Sequence, residues 1–171
     1  MRTKNIAVLA IIASFCLAVP SQSESKTPSD RPEVSDFEAR TLNGKKIRLS
    51  NFRGNVVVTS FWATWCVPCK RELEDLKKIH RELGGTFEVI AIATDGPETY
   101  SQIRGTVKRH KWPFHVLPDR EGEITSVLNP RGTVPYSMYI DQEGRLAYSH
   151  EGYSQGDYQK MRARIQKLLK D

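Results

Sequence analysis

The sequence predicts an α/β fold: a mixed β-sheet flanked by helices and preceded by an N-terminal β-hairpin. Three observations carry the prediction. Val56–Trp62 and residues 86–94 are two nearly unbroken β-branched and aromatic runs, as expected of strands buried on both faces of a parallel sheet. Between them Leu73, Leu76, Ile79 and Leu83 recur at helical spacing among Lys, Arg and Glu, which supplies a crossover helix. The chain then ends on two short strand-like runs around Asp141-Gln142-Glu143-Gly144 and an amphipathic segment. A βαβ crossover followed by a hairpin and a closing helix gives a mixed sheet with helices on both faces.

The elements follow in order along the 171 residues. Met1-Arg2-Thr3-Lys4-Asn5 is a short basic opening, followed by an apolar run over residues 6–19 and then Pro20. This is the pattern of an export signal, assigned to residues 1–21. The run is shorter than the ~20 residues of a spanning helix, so cleavage is the first reading. An uncleaved anchor stays open, because tilt and bilayer thinning relax that limit. Ser21 and Ser23 offer small residues for cleavage without a clean A-x-A site. Cys16, inside the run, follows the bulky Phe15, which argues against lipidation and for a small apolar residue of the signal. Residues 22–33, rich in Ser, Pro, Lys, Asp and Glu, read as a flexible tether, and residues 34–171 as one domain.

Within that domain, Phe37-Glu38-Ala39-Arg40 and Ile47-Arg48-Leu49 alternate apolar and charged residues around Asn43-Gly44, a hairpin pattern. Gly84-Gly85 closes the crossover helix. Tyr100, Ile103 and Val107 mark a second helix that ends before Trp112-Pro113. Phe114 to Leu117 forms a short strand and Ile124 to Leu128 a short helix. The closing helix starts near Ser154, its inner face built from Tyr158, Met161, Ile165 and Leu168.

Composition narrows the function classes. Apolar residues are 39% and charged residues 27%, enough for a core and a soluble surface. The net charge is +6, of which Arg2 and Lys4 supply two. The remaining excess is spread along the chain, and no nucleic-acid partner is expected.

Chemistry concentrates at Cys66-Val67-Pro68-Cys69, where the first long strand meets its helix. A cysteine in the first helical turn faces unpaired backbone N–H groups and the positive end of the helix dipole, both of which favour the thiolate. Cys69, one turn further in, is shielded and spaced to attack a mixed disulfide at Cys66. Pro68 suits a first turn, where a missing N–H costs little. A zinc site needs about four ligands. With no second C-x-x-C, and with His80, His110, His115 and His150 scattered singly, no metal or other cofactor is expected. A structural disulfide suits an exported chain, but a three-residue step closes too small a loop to stabilise much.

Phe61-Trp62-Ala63-Thr64-Trp65-Cys66-Val67-Pro68-Cys69 resembles the active-site segment of thioredoxin-like proteins, most closely the exported TlpA/ResA-like group. Thr133-Val134-Pro135 with the following strand and turn resembles that group's cis-proline loop. The stretch from Asp36 to Gly54 resembles its added N-terminal hairpin. The resemblance spans residues 34–170 and implies a thioredoxin-like fold and a thiol–disulfide oxidoreductase. It implies a cis Pro135 beside the cysteines, a Val134 backbone that pairs with an extended substrate segment, and a Trp65 that shields Cys66. Thioredoxin keeps a buried Asp six residues before its first cysteine; here that position is Ser60, which is no base. The ResA-like group uses an acid after the next strand, which points to Glu98, with Asp95 as the other candidate. Strong oxidants of the thioredoxin superfamily carry a histidine between the cysteines, whereas Val67-Pro68 provides no such donor. The expectation is therefore a reductant, nearer ~−270 mV than ~−120 mV. It would be a monomer in the periplasm or on the outer face of the cytoplasmic membrane, fed by a membrane electron donor. Its clients would be protein disulfides, such as an apocytochrome c or a copper-site protein. Two other classes compete. A peroxiredoxin-like peroxidase needs Pro-x-x-x-Thr-x-x-Cys, which is absent. A non-catalytic binding module would keep the disulfide as structure alone.

Overall fold

The computed structural model describes residues 28–171, so the export signal, Cys16 and the first half of the tether lie outside the described residues. Five strands form one sheet in the order β5-β4-β3-β6-β7: β3 (Val56–Trp62), β4 (Phe87–Ala93), β5 (His115–Pro118), β6 (Tyr136–Ile140) and β7 (Leu146–Glu151). β3, β4 and β5 run parallel, and β6 and β7 are antiparallel additions. All seven residues of β3 are buried, as expected of its nearly continuous β-branched and aromatic run. The period of two sorts them. Val56, Val58 and Trp62 face one core with Cys69 and Leu73, and Val57 and Phe61 face the other with Ile90 and Leu117.

The first core is covered by α1 (Val67–Glu82), α2 (Gln102–His110) and α4 (Asp157–Leu168). The second is covered by α3 (Glu123–Leu128) and by the hairpin of β1 (Glu38–Arg40) and β2 (Lys46–Arg48). The fold is thioredoxin-like with an N-terminal hairpin, as the sequence led us to expect.

Two boundaries differ. β7 continues to Glu151, so α4 begins at Asp157, and Ser154 instead donates to the Asp157 carboxylate from its N–H (2.7 Å) and hydroxyl (2.9 Å). Residues 31–33, expected in the tether, are packed on the domain. The buried Arg31 guanidinium donates to Asp141 (3.0 Å) and Asp171 (2.8 Å), and the N–H of Leu146 bonds to the Pro32 carbonyl. A buried arginine needs such carboxylates to offset its desolvation.

Candidate active site

β3 ends at Trp62, and a three-residue loop delivers Cys66 to the N-cap of α1, where it has an extended backbone (φ −80°, ψ 101°). Thr64 in that loop is pinned from both sides. Its N–H lies 3.1 Å from both oxygens of Asp95, its hydroxyl also donates to Asp95, and its carbonyl accepts from Lys70 Nζ at 2.8 Å. Asp95 can reach Thr64 because the parallel register pairs Trp62 with Ala93, so the loops after β3 and β4 emerge side by side.

Cys66 and Cys69 close as a disulfide with Cα atoms 5.3 Å apart. The Cys69 N–H donates to Cys66 Sγ at 3.2 Å, one of the otherwise unpaired donors of the first helical turn. Cys69 is fully buried, and only Cys66 keeps a trace of solvent contact (3%). Trp65 and Val67, on either side of Cys66, are 61% and 52% exposed, unusual for large apolar side chains. The Val134–Pro135 peptide is cis. Since β6 pairs Tyr136 with Phe61, it lies at the dithiol end of the sheet, with Pro135 buried and Val134 half-buried.

The two acids chosen from the sequence stand apart from each other. Asp95 is buried with its hydrogen bonds directed to Thr64, and Glu98 lies on the exposed part of the same loop. The buried acid on the dithiol's own helix is Glu72, which sequence reasoning passed over. It sits one turn after Cys69 on the buried face of α1 and is 1% exposed. Ser137 donates to one oxygen (2.5 Å) and Ser60 to the other (3.1 Å). The serines are direct cross-strand partners of β3 and β6, so together they form a cradle for one carboxyl group. Burial pushes Glu72 up to about 7, with the two serine hydrogen bonds opposing the shift. Ser60, noted as no base, is thus a donor to the acid that occupies the helix side. The missed signal was positional: residue 72 falls in the apolar stripe of Cys69, Leu73, Leu76 and Ile79, where a carboxylate is out of place unless held.

A cysteine pair at a helix N-terminus, beside a cis-proline loop and above a titratable buried carboxyl, defines a thioredoxin-like redox protein. Residues 31–149 match the AhpC/TSA family, and the chain belongs to it. It is 34% identical over 125 residues to the thiol–disulfide oxidoreductase ResA of Bacillus thuringiensis, covering 70% of this chain and 68% of that one. Among solved structures, a putative thiol:disulfide interchange protein DsbE from Chlorobium tepidum superposes with a TM-score of 0.73 at 25% identity, over 81% of this chain and 96% of that one. An exposed lipoprotein thioredoxin from Streptococcus pneumoniae does so with a TM-score of 0.63 at 28% identity, over 80% and 98%. The protein is a thiol–disulfide oxidoreductase of this ResA-like kind.

Proposed function

We propose that the protein is exported and reduces disulfides in client proteins. The observation that carries this reading is the dithiol's surroundings. The Cys69 N–H is the hydrogen-bond donor to Cys66 Sγ, and the intervening Val67-Pro68 adds no side-chain donor that would hold the reduced form more tightly.

In the forward step the Cys66 thiolate attacks one sulfur of the client disulfide, and the other client sulfur leaves and takes up a proton. Glu72 accepts the Cys69 proton, and the Cys69 thiolate then attacks Cys66 Sγ. The second client sulfur leaves as a thiolate, and Cys66 and Cys69 are left as a disulfide. Two electrons pass to the client, and a membrane donor restores the dithiol. A carboxyl near 7 suits this transfer, because it is partly ionised at neutral pH. Exposed Trp65 and Val67 contact the client, and Val134 beside the cis Pro135 offers its backbone to an extended segment. Apocytochrome c and copper-site proteins are the client classes to try first. The N-terminal pattern supports export to the periplasm or to the outer face of the membrane, with the domain acting as a monomer.

Cys69→Ser tests the sequence of steps. It should accumulate a mixed disulfide through Cys66 that added thiol releases, and the wild-type couple should equilibrate near ~−270 mV. Absence of any trapped client, or a potential near ~−120 mV, would overturn the reductant.

A further inference from the structure

We propose that the cavity between the hairpin loop and α2 binds a small amphipathic anion, an apolar body bearing a carboxylate. The cavity holds about 670 Å³, within the ~300–1,000 Å³ range of small-molecule sites. It lies where the loop between β1 and β2 folds over the edge strand β5, fastened by the Leu42 N–H to the Val116 carbonyl at 2.9 Å. The floor is apolar, from Leu42, Trp112, Phe114 and Val116.

Its rim carries one sign of charge. Lys45 stands on the hairpin lip, and Arg104 and Lys108 stand one turn apart on α2. Among the described residues no acidic side chain lines the cavity. The Arg104 guanidinium donates to a neutral acceptor, the Leu42 carbonyl, at 2.6 Å. The two neighbouring acids are held by other groups. Glu88 meets His115 at 3.2 Å, and Glu74, on Trp112 Nε1, also holds His110 and Lys77. Cations around a low-dielectric floor focus a positive potential into the hollow. A neutral apolar ligand would leave that field unused, and a cation would be repelled.

The other large cavity, along α1 beside Val67, lacks this selectivity. Lys70, Arg71 and Lys78 there face Glu74 and Asp75 on the same wall, so its charges are mixed.

The test uses the full domain with decanoate, well below its micelle concentration, read by calorimetry and by the fluorescence of Trp112 in the floor. Saturable one-to-one binding is expected, at least about tenfold tighter than for decanol and absent for decyltrimethylammonium. Lys45→Glu with Lys108→Glu changes two exposed side chains and should weaken decanoate by about tenfold or more, while disulfide reduction by the dithiol stays unchanged. Decanol binding as tightly as decanoate, or decanoate indifferent to the charge reversals, would overturn the site. Charge-dependent sedimentation with phosphatidylglycerol vesicles, without saturable decanoate binding, would overturn it too and assign the patch to a membrane surface.

Discussion

On the loop side of the dithiol and on its sheet side lies one buried carboxyl group each, and the two are held in different ways. Asp95 receives a backbone N–H and a hydroxyl from Thr64, in the loop that delivers Cys66. Glu72 receives two serine hydroxyls and nothing charged, wedged between α1 and the sheet under Cys69. Burial is nearly equal, 3% and 1% exposed. Asp95 answers a donor that the backbone cannot withdraw, so its work is to fix the loop. The serine hydroxyls around Glu72 can rotate, and each can accept as well as donate. The cradle therefore holds the carboxyl in both protonation states, with the two hydroxyls favouring the anion. Burial alone does not make a proton carrier; reversible donors do.

The largest effect expected to separate the two is the pH dependence of stability. The folded-state pKa of Glu72 is raised from 4.5 to about 7, so between those values the folded protein keeps a proton that the unfolded chain has lost. The contribution of Glu72 is then fully present below pH 4.5, falls as pH rises through the window, and levels off above about 7. The fall attributable to Glu72 is roughly 3 kcal/mol at ~1.36 kcal/mol per unit. Urea unfolding of the oxidised protein, wild type minus Glu72→Gln, isolates it. A difference that is flat from pH 4 to 8 would remove Glu72 from the titrating role.

Next in size is the resolving step. Glu72→Gln keeps the shape but not the proton acceptor, and release of a preformed mixed disulfide at pH 7 should slow by about a hundredfold, the lower end of general-base effects. Asp95→Asn should slow it only a few-fold. Equal losses in rapid-mixing experiments would mean that the loop and sheet carboxyls act together.

Loss of the loop anchor comes third. Asp95→Ala leaves the Thr64 N–H without its acceptor, at a cost of about 1–3 kcal/mol, read as a lower urea midpoint. Thr64→Val, which removes only the hydroxyl donor, should cost less.

How far the sequence showed this arrangement depends on the range of each interaction. Val56–Trp62 was legible to the residue because a strand buried on both faces reads as a nearly continuous β-branched and aromatic run. Cys66 and Cys69 were legible because their spacing and helix-start position are local. The cis Pro135 came from resemblance, with no local feature of Thr133-Val134-Pro135 demanding it. The docked Arg31 was not legible, since its partners lie 110 and 140 residues away. Nor were the partners of Asp95, which depend on the register of β3 against β4. Glu72 was half legible. Its place in an apolar stripe was visible, but Ser60 and Ser137 become a pair only when β3 and β6 align.

That pairing gives the finest prediction. The serines both hydrogen-bond the ionised carboxyl and so hold Glu72 below where burial alone would put it. Ser137 is the closer donor, at 2.5 Å against 3.1 Å for Ser60. Ser137→Ala should therefore move the Glu72 midpoint upward, by up to about one unit, and Ser60→Ala should move it by less. Carboxyl-carbon NMR on labelled protein reads both midpoints directly. If the order were reversed, the shorter hydrogen bond would not be the stronger one. If either midpoint fell, desolvation would have been relieved by water entering the space the hydroxyl left, and the cradle would be stabilising the neutral acid instead of its anion.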